Sequence, residues 1–373
     1  MAQPRDFGFG EEQEMLKDAA RRFMDDKAPL LALRKATKGT EDPYLGDERT
    51  GFYDQEAWRE MVELGWTALA VPEEAGGVGM SLVTAVAVAE EVGRAAMPTP
   101  LTSTLQTTYV LKHAGTAAAT EWLQKIAEGQ SATLAIQGQE DALQWDSATV
   151  SADGDELNGT AWYVQDLQKV DFLVVAARSG NDLKLYAIDK SAAGIELGYD
   201  RIVDLTRDQG RVTFSGASAT CISDDGLAAL AAAEPALLTL VAADIAGGCE
   251  WLLQTTAEYA KVRMQFDRPI GFFQAVKHPI VNMMIEIDQT RSLAYNAACA
   301  YDTDPDTAHR AAHLAKSSAS DTAEFCANRA TQLHGGIGFT WEHDVQIYHK
   351  RQIHSQQLFG DGIWHREKAA AYL

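Results

Sequence analysis

The sequence predicts an α+β chain that is mostly α: an N-terminal α-helical domain over residues 1–129, an antiparallel β-sandwich or small barrel over 130–222, and a C-terminal four-helix bundle over 223–373. Three observations predict it. Apolar residues recur at helical spacing on both sides of a middle stretch. Between Thr133 and Thr220 the pattern changes to short β-rich runs roughly ten residues apart, separated by Asp-Gly and Asn-Gly turns. From Asp224 onward the helical segments are long and their connections short, which argues for antiparallel helix packing.

In chain order, residues 11–37 place Met15, Leu16, Ala19, Phe23 and Ala28 at helical spacing, with acids leading and bases trailing as the helix dipole prefers; one amphipathic helix is predicted. A second covers 54–64, with Asp54 as its N-cap and Gly65 as its stop. The segment WTALAVPEEAGGVGMS then turns into an alanine-rich helix at 81–96, and a helix or a pair of helices spans 101–128. The β runs are ATLAIQG, SATVSADGDELNGTAWYV, FLVVAAR, LKLYAID, GIELGYD and GRVTFSG. Helices follow over 226–262 (one, or two broken near Pro235), 273–303, 305–334 and 342–358.

Composition bounds the function. With 46% hydrophobic and 23% charged residues the chain is an ordinary globular one. It has no unbroken apolar run of about 18 residues, and its N-terminus lacks a basic region followed by an apolar one, so a cytoplasmic protein without membrane insertion is expected. Cys221, Cys249, Cys299 and Cys326 form no CxxC pair; they read as small buried hydrophobes, and no metal site is expected. The net charge of −21 argues against a nucleic-acid partner. An anionic ligand then needs a local basic cluster, which Tyr259 to Met283 supplies. There Pro269 and Gly271 stop one helix and restart the chain in a fixed direction, so that Arg263 and Arg268 project from a rigid corner.

The blocks RMQFDRPIGFFQAVKH and QLHGGIGFTWEHDVQIYHKR, with LGWTALAVPEEAGGVGMS near 64–81 and LNGTAWYVQDLQKVDFLVVAAR at 157–178, span nearly the whole chain, and together they resemble the acyl-CoA dehydrogenase family. The resemblance implies a flavoenzyme in which a carboxylate removes the proton α to a thioester carbonyl while the β-carbon passes a hydride to FAD, leaving a 2-enoyl-CoA. It implies FAD as cofactor, an acyl-CoA as substrate, a dimer or tetramer, and an electron-transfer flavoprotein as the expected acceptor. By the same resemblance Arg263 and Phe266 belong to an "RxxFG" motif that contacts FAD diphosphate and adenine across a subunit interface. Gln274 is the Gln of its "FQ" pair, and Gln332, Gly335 and Gly336 receive the adenosine end of the neighbour's FAD. Asp267 stands where that motif has Gly. A guanidinium can bridge two phosphate oxygens, and glycines let backbone N–H groups approach an anion. Plainer readings stand beside these: Arg263 paired with Glu258 or Asp267, Gly335 and Gly336 closing a helix, His278 capping or packed, and Trp66, Trp162, Trp341 and Trp364 as packing residues.

The catalytic base is where the sequence departs from the family. The two positions that carry it fall on Phe359 and Leu237, and neither side chain can take a proton. Asp244, Asp361 and Glu234 lie close enough to substitute, with Asp244 and Asp361 the expected catalytic candidates. Asp244 lies in the apolar stretch LVAADIAGGCEW, where a carboxylate must be hydrogen-bonded or raised in pKa; its plainer role is an ordinary buried Asp, as that of Asp361 is a turn residue. Ile136 to Asp141 replaces the Thr-Glu-Pro-Gly-Ala-Gly-Ser-Asp run common in the family. The ending LFGDGIWHRE and the missing Glu look like the branch that acts on bulky acyl-CoAs such as steroid degradation intermediates, in which an enzyme can be built from two different subunits. The expected function is an FAD-dependent acyl-CoA dehydrogenase; the alternatives are a base-lacking partner subunit and a flavin monooxygenase on the same fold.

Overall fold

Helices occupy both ends of the chain and strands its middle. The computed structural model describes residues 6–37 and 53–372; residues 1–5, 38–52 and 373, which the predicted terminal regions include, lie outside the described residues. The single helix expected over 11–37 is two, α1 (Glu11–Lys27) and α2 (Pro29–Thr37). The break is Ala28, at φ +43°, because the ring of Pro29 excludes the residue before it from the helical region. Then come α3 (Gln55–Glu63), whose N-cap Asp54 accepts from the N–H groups of Glu56 and Ala57, and α4 (Leu82–Arg94). The segment 101–128 is a pair, α5 (Leu101–Ala114) and α6 (Ala117–Ala127), parted by Gly115 and capped by Thr116.

The strands are β1 (Ala132–Ala135), β2 (Val150–Asp153), β3 (Glu156–Gln165), β4 (Phe172–Ser179), β5 (Asp182–Asp189), β6 (Ile195–Tyr199), β7 (Gln209–Ser218) and β8 (Thr220–Ser223). They form one sheet in the order β6-β7-β3-β2-β4-β5-β8, with β1 also on β4. The all-antiparallel expectation needs correction, because β1 and β2 both run parallel to β4. Ala132 to Ala135 pair with Phe172 to Val175, and Val150 and Ser151 with Ala177 and Arg178, so the two strands lie end to end along one edge of β4. Between them the chain leaves the sheet as the loop 136–149. Side-chain alternation reports which face is buried and says nothing of partner direction. β8, too short to stand out as a pattern, was not expected.

The C-terminal region is α7 (Gly226–Val262), a two-stranded hairpin of β9 (Met264–Gln265) and β10 (Arg268–Pro269), α8 (Gln274–Thr303), α9 (Pro305–His334), α10 (Val345–Gln357) and α11 (Gly362–Ala370). α7 passes through Pro235 unbroken. α11 adds a fifth element to the expected bundle. By length and composition α7 could cross a membrane, but most of it is buried inside the chain, against α4, α5, α8 and α9. Its contact with α4 is backbone to backbone: a Cβ on Gly247 would lie 1.8 Å from the Glu90 carbonyl oxygen, and one on Gly93 2.0 Å from that of Asp244. Alternation along β4 divides two cores. Phe172, Val174 and Ala176 face the helices, whereas Leu173, Val175 and Ala177 face the opposite side of the sheet. Cys249, Cys299 and Cys326 are buried and Cys221 is half-buried, all four as free thiols.

Candidate active site

Two regions hold the residues singled out by the sequence. The first is the far end of the bundle, where α7 and α9 finish side by side. Tyr259 stacks on His334 at 4.4 Å, and its hydroxyl donates to the His334 carbonyl. Just beyond them lie the β9–β10 hairpin on one side and Gly335 and Gly336 on the other. The hairpin turn is Phe266-Asp267, with φ of +53° and +59°, the two left-handed residues of a type I′ turn. The Gly expected at the second of these positions is replaced by Asp, one of the few side chains that tolerate the left-handed region.

Arg263 leaves the end of α7 here, exposed. Glu258 pairs with Lys261 instead, and among the described residues no carboxylate engages the Arg263 guanidinium. Phe266 is 78% exposed, its ring edge-on to Phe273; Arg268 lies over the ring of Phe272 at 4.3 Å. Gln274 opens α8 and Gln332 lies in the last turn of α9, both exposed. Gly335 is required by its own backbone, at φ +64°, but Gly336 is not, and among the described residues no atom beyond its chain neighbours lies within 4 Å of where its Cβ would be. A free guanidinium, a strained exposed aromatic and two open glycines suit a diphosphate brought by another body. His278 is exposed on α8 rather than capping or packed, and Trp341 is 45% exposed; Trp66 is buried as expected.

The second region is the turn between α10 and α11, facing the loop 136–149 across a cleft with an interior of about 40 Å³. That is room for a few water-sized groups. Phe359 lines this cleft at φ +59°, strained for a bulky residue, and packs on Trp145 at 5.9 Å. The turn is held from below by Lys316, which is fully buried. Its ammonium donates to the Gly360 carbonyl at 2.7 Å, the Gln356 carbonyl at 3.0 Å and Ser320 Oγ at 2.7 Å. Burial pushes the group down to about 7, with Asp361 and Asp321 pulling it back. Its three acceptors use all three protons, so the charged form is the one this turn is built around. The replaced segment still bonds to the hairpin beside it: the Trp162 N–H donates to the Gln137 carbonyl, and the Tyr163 hydroxyl to that of Gln139.

Neither expected base is placed for the role. Asp244 is wholly buried, with Oδ1 accepting from Arg207 Nη2 at 2.8 Å and Oδ2 accepting from Arg351 Nη2. Arg207 also contacts Asp204, whose carboxyl burial would raise but which the two guanidiniums hold below its ordinary value. Asp244 thus ties the sheet's 204–207 loop to α7 and α10, with each carboxylate oxygen taken by a guanidinium and the group shut away from any substrate. Asp361 caps α11, Oδ1 accepting from the Trp364 N–H at 2.8 Å. Leu237 is buried, its carbonyl accepting from Gln106.

Glu234, one turn before Leu237, does reach the cleft. Oε1 accepts from the Trp145 indole at 2.9 Å, and Oε2 lies 3.2 Å from His309 Nδ1 and 3.7 Å from His313 Nε2. Burial alone would raise this carboxyl, but His309, His313 and Trp145 bring it below the usual range. Behind it His313 Nδ1 and His365 Nδ1 share a hydrogen bond at 2.9 Å. The histidines and Trp145 went unnoticed in the sequence because they lie far apart along it.

Comparison with known proteins bears on both regions. Residues 10–130 match the acyl-CoA dehydrogenase N-terminal domain and residues 239–362 the C-terminal domain. The acyl-CoA dehydrogenase IpdE2 of Mycolicibacterium smegmatis is 32% identical over 94% of this chain and 95% of its own length. Among solved structures, a single-residue variant of the Tcur3481-Tcur3483 steroid ACAD superimposes with a TM-score of 0.84 at 28% identity, covering 98% of each chain. The ChsE4-ChsE5 complex from Mycobacterium tuberculosis, at 23% identity over 98% of each chain and a TM-score of 0.85, shares the fold. Fold and matches together define an FAD-dependent oxidoreductase built of helices, a mixed sheet and a helical bundle. The chain belongs to the acyl-CoA dehydrogenase family.

Proposed function

We propose that this chain serves the FAD-dependent α,β-dehydrogenation of a CoA thioester, with the cofactor's diphosphate and adenosine held at a subunit interface by Arg263, Phe266, Gln274, Gln332, Gly335 and Gly336. The observation that carries the reading is the exposed Arg263 guanidinium, unpaired among the described residues, on a strained hairpin beside two glycines, of which Gly336 has neither a positive φ nor, among the described residues, a close neighbour to require it. The apolar side chains around it, including Phe266 and Phe339, stand exposed as they do on surfaces that meet another chain. On this reading 1–129, 130–222 and 223–373 act as three domains around the flavin, and the enzyme is a cytoplasmic dimer or tetramer reoxidised by an electron-transfer flavoprotein. FAD supplies the hydride acceptor; the chain aligns the thioester and takes its α-proton. Likeness to a steroid ACAD favours a bulky, ring-bearing acyl group.

The test is purification followed by anaerobic titration. A yellow protein bleached by an acyl-CoA supports the reading, and Arg263→Ala should lower flavin content with the fold intact. Unchanged flavin content in that variant removes Arg263 from the site. A second reading has its own observation. Leu237 and Phe359 are apolar, and Asp244 and Asp361 are engaged elsewhere, which suits a partner subunit that completes another chain's FAD site. In that case the protein alone is colourless and gains flavin only when mixed with a homologous chain.

A further inference from the structure

One carboxylate in the second region, Glu234, lines the cleft. Glu234 comes from α7, Trp145 from the loop that interrupts β1 and β2, and Phe359 from the α10–α11 turn, so three separate regions of the chain converge on one small space. Trp145 bridges the other two: its indole N–H donates to Glu234 Oε1, and its ring packs on Phe359. The carboxylate therefore sits one side chain away from the position that carries the base by family resemblance, on a rigid helix and already oriented by a donor at each oxygen.

We infer that Glu234 is the base that removes the α-proton of the thioester in this chain. The inference rests on the dehydrogenase reading above. The C–H bond at the α-carbon would break with its proton going to a carboxylate oxygen of Glu234 and its electron pair becoming the α,β double bond; FAD, when bound, would supply the acceptor for the β-hydrogen and its electron pair. The surroundings suit this use. Glu234 lines the cleft, whereas Asp244 lies wholly buried between two guanidiniums and Asp361 is committed to a helix end. His309 beside it is partly open to solvent, which gives the proton a way out. A carboxylate present only to tie α7 to α9 would account for the histidine contacts; it would not account for the bond to Trp145, whose ring packs on Phe359 in the cleft that all three line.

The experiment compares wild type with Glu234→Gln and Glu234→Asp, using a panel of straight-chain and ring-bearing acyl-CoAs. Two properties are read: anaerobic flavin bleaching, and exchange of the thioester α-hydrogens with D2O, which needs no net oxidation. Melting temperature and flavin content control for folding. The amide still accepts from Trp145 but cannot take a proton, so Glu234→Gln should lose bleaching and exchange together by about 10²–10⁴-fold while keeping its flavin. Glu234→Asp keeps the charge one methylene short and should recover part of both. Retention of exchange within tenfold in a flavin-loaded Glu234→Gln overturns the inference and leaves the dehydrogenase reading standing. A wild type that bleaches only beside a homologous chain, with Glu234→Gln without effect, overturns it in favour of a base on the partner. A flavin-loaded wild type inert to the whole panel overturns the dehydrogenase reading itself.

Discussion

Asp267 and Asp244 show how differently two aspartates are used in one chain. Asp267 holds the second left-handed position of an exposed type I′ turn, so its side chain matters less than its backbone. Asp267→Gly should be tolerated, whereas Asp267→Val should cost about 1–2 kcal/mol, read as a lower urea midpoint, because a β-branched residue resists positive φ. Equal midpoints for the two variants would show that the turn has some other shape. Asp244 is the opposite case, fully buried between Arg207 and Arg351. Asp244→Asn leaves two buried guanidiniums facing a neutral amide and should destabilise by about 3–5 kcal/mol in denaturant unfolding. A loss of activity in that variant at unchanged stability would restore Asp244 as a candidate base.

Elements were legible where one short-range pattern decides them. Asp54 before α3, the 37-residue apolar α7 and the hairpin turns of the sheet announce themselves within a few residues. What depends on tertiary neighbours did not announce itself: β1 and β2 running parallel along one edge of β4, the short α11, and the break at Ala28, which needed Pro29 to be weighed above the periodicity. The site divides in the same way. The basic hairpin and the Gly pair are contiguous motifs, but Glu234, Trp145, His309 and Phe359 are brought together only by folding. The α4–α7 contact supplies a prediction at this scale. Gly247→Ala puts a methyl carbon against the Glu90 carbonyl, and the helices must separate to admit it. The expected loss is about 1–3 kcal/mol, visible in thermal unfolding; a neutral substitution would mean the two helices shift freely.

Across the whole molecule, buried histidines make the fold sensitive to acid. Burial holds His354 down to about 4, against a usual 6.5, and His365 down to about 2. Between about pH 6.5 and 4 for His354, and on down to about 2 for His365, the unfolded chain therefore binds protons that the native chain refuses. Stability from these groups is present in full above the unfolded value and is lost as pH falls through that window. The melting temperature should drop from pH 7 to pH 4.5, and His354→Asn should flatten the drop; a drop of the same steepness in the variant would assign the acid sensitivity to other groups. A last consequence comes from Gly336, beside which the described residues leave open space. If the space it leaves is filled from another subunit, cofactor retention obeys mass action: dilution that separates the subunits also releases the flavin, and colour per chain becomes a gauge of assembly.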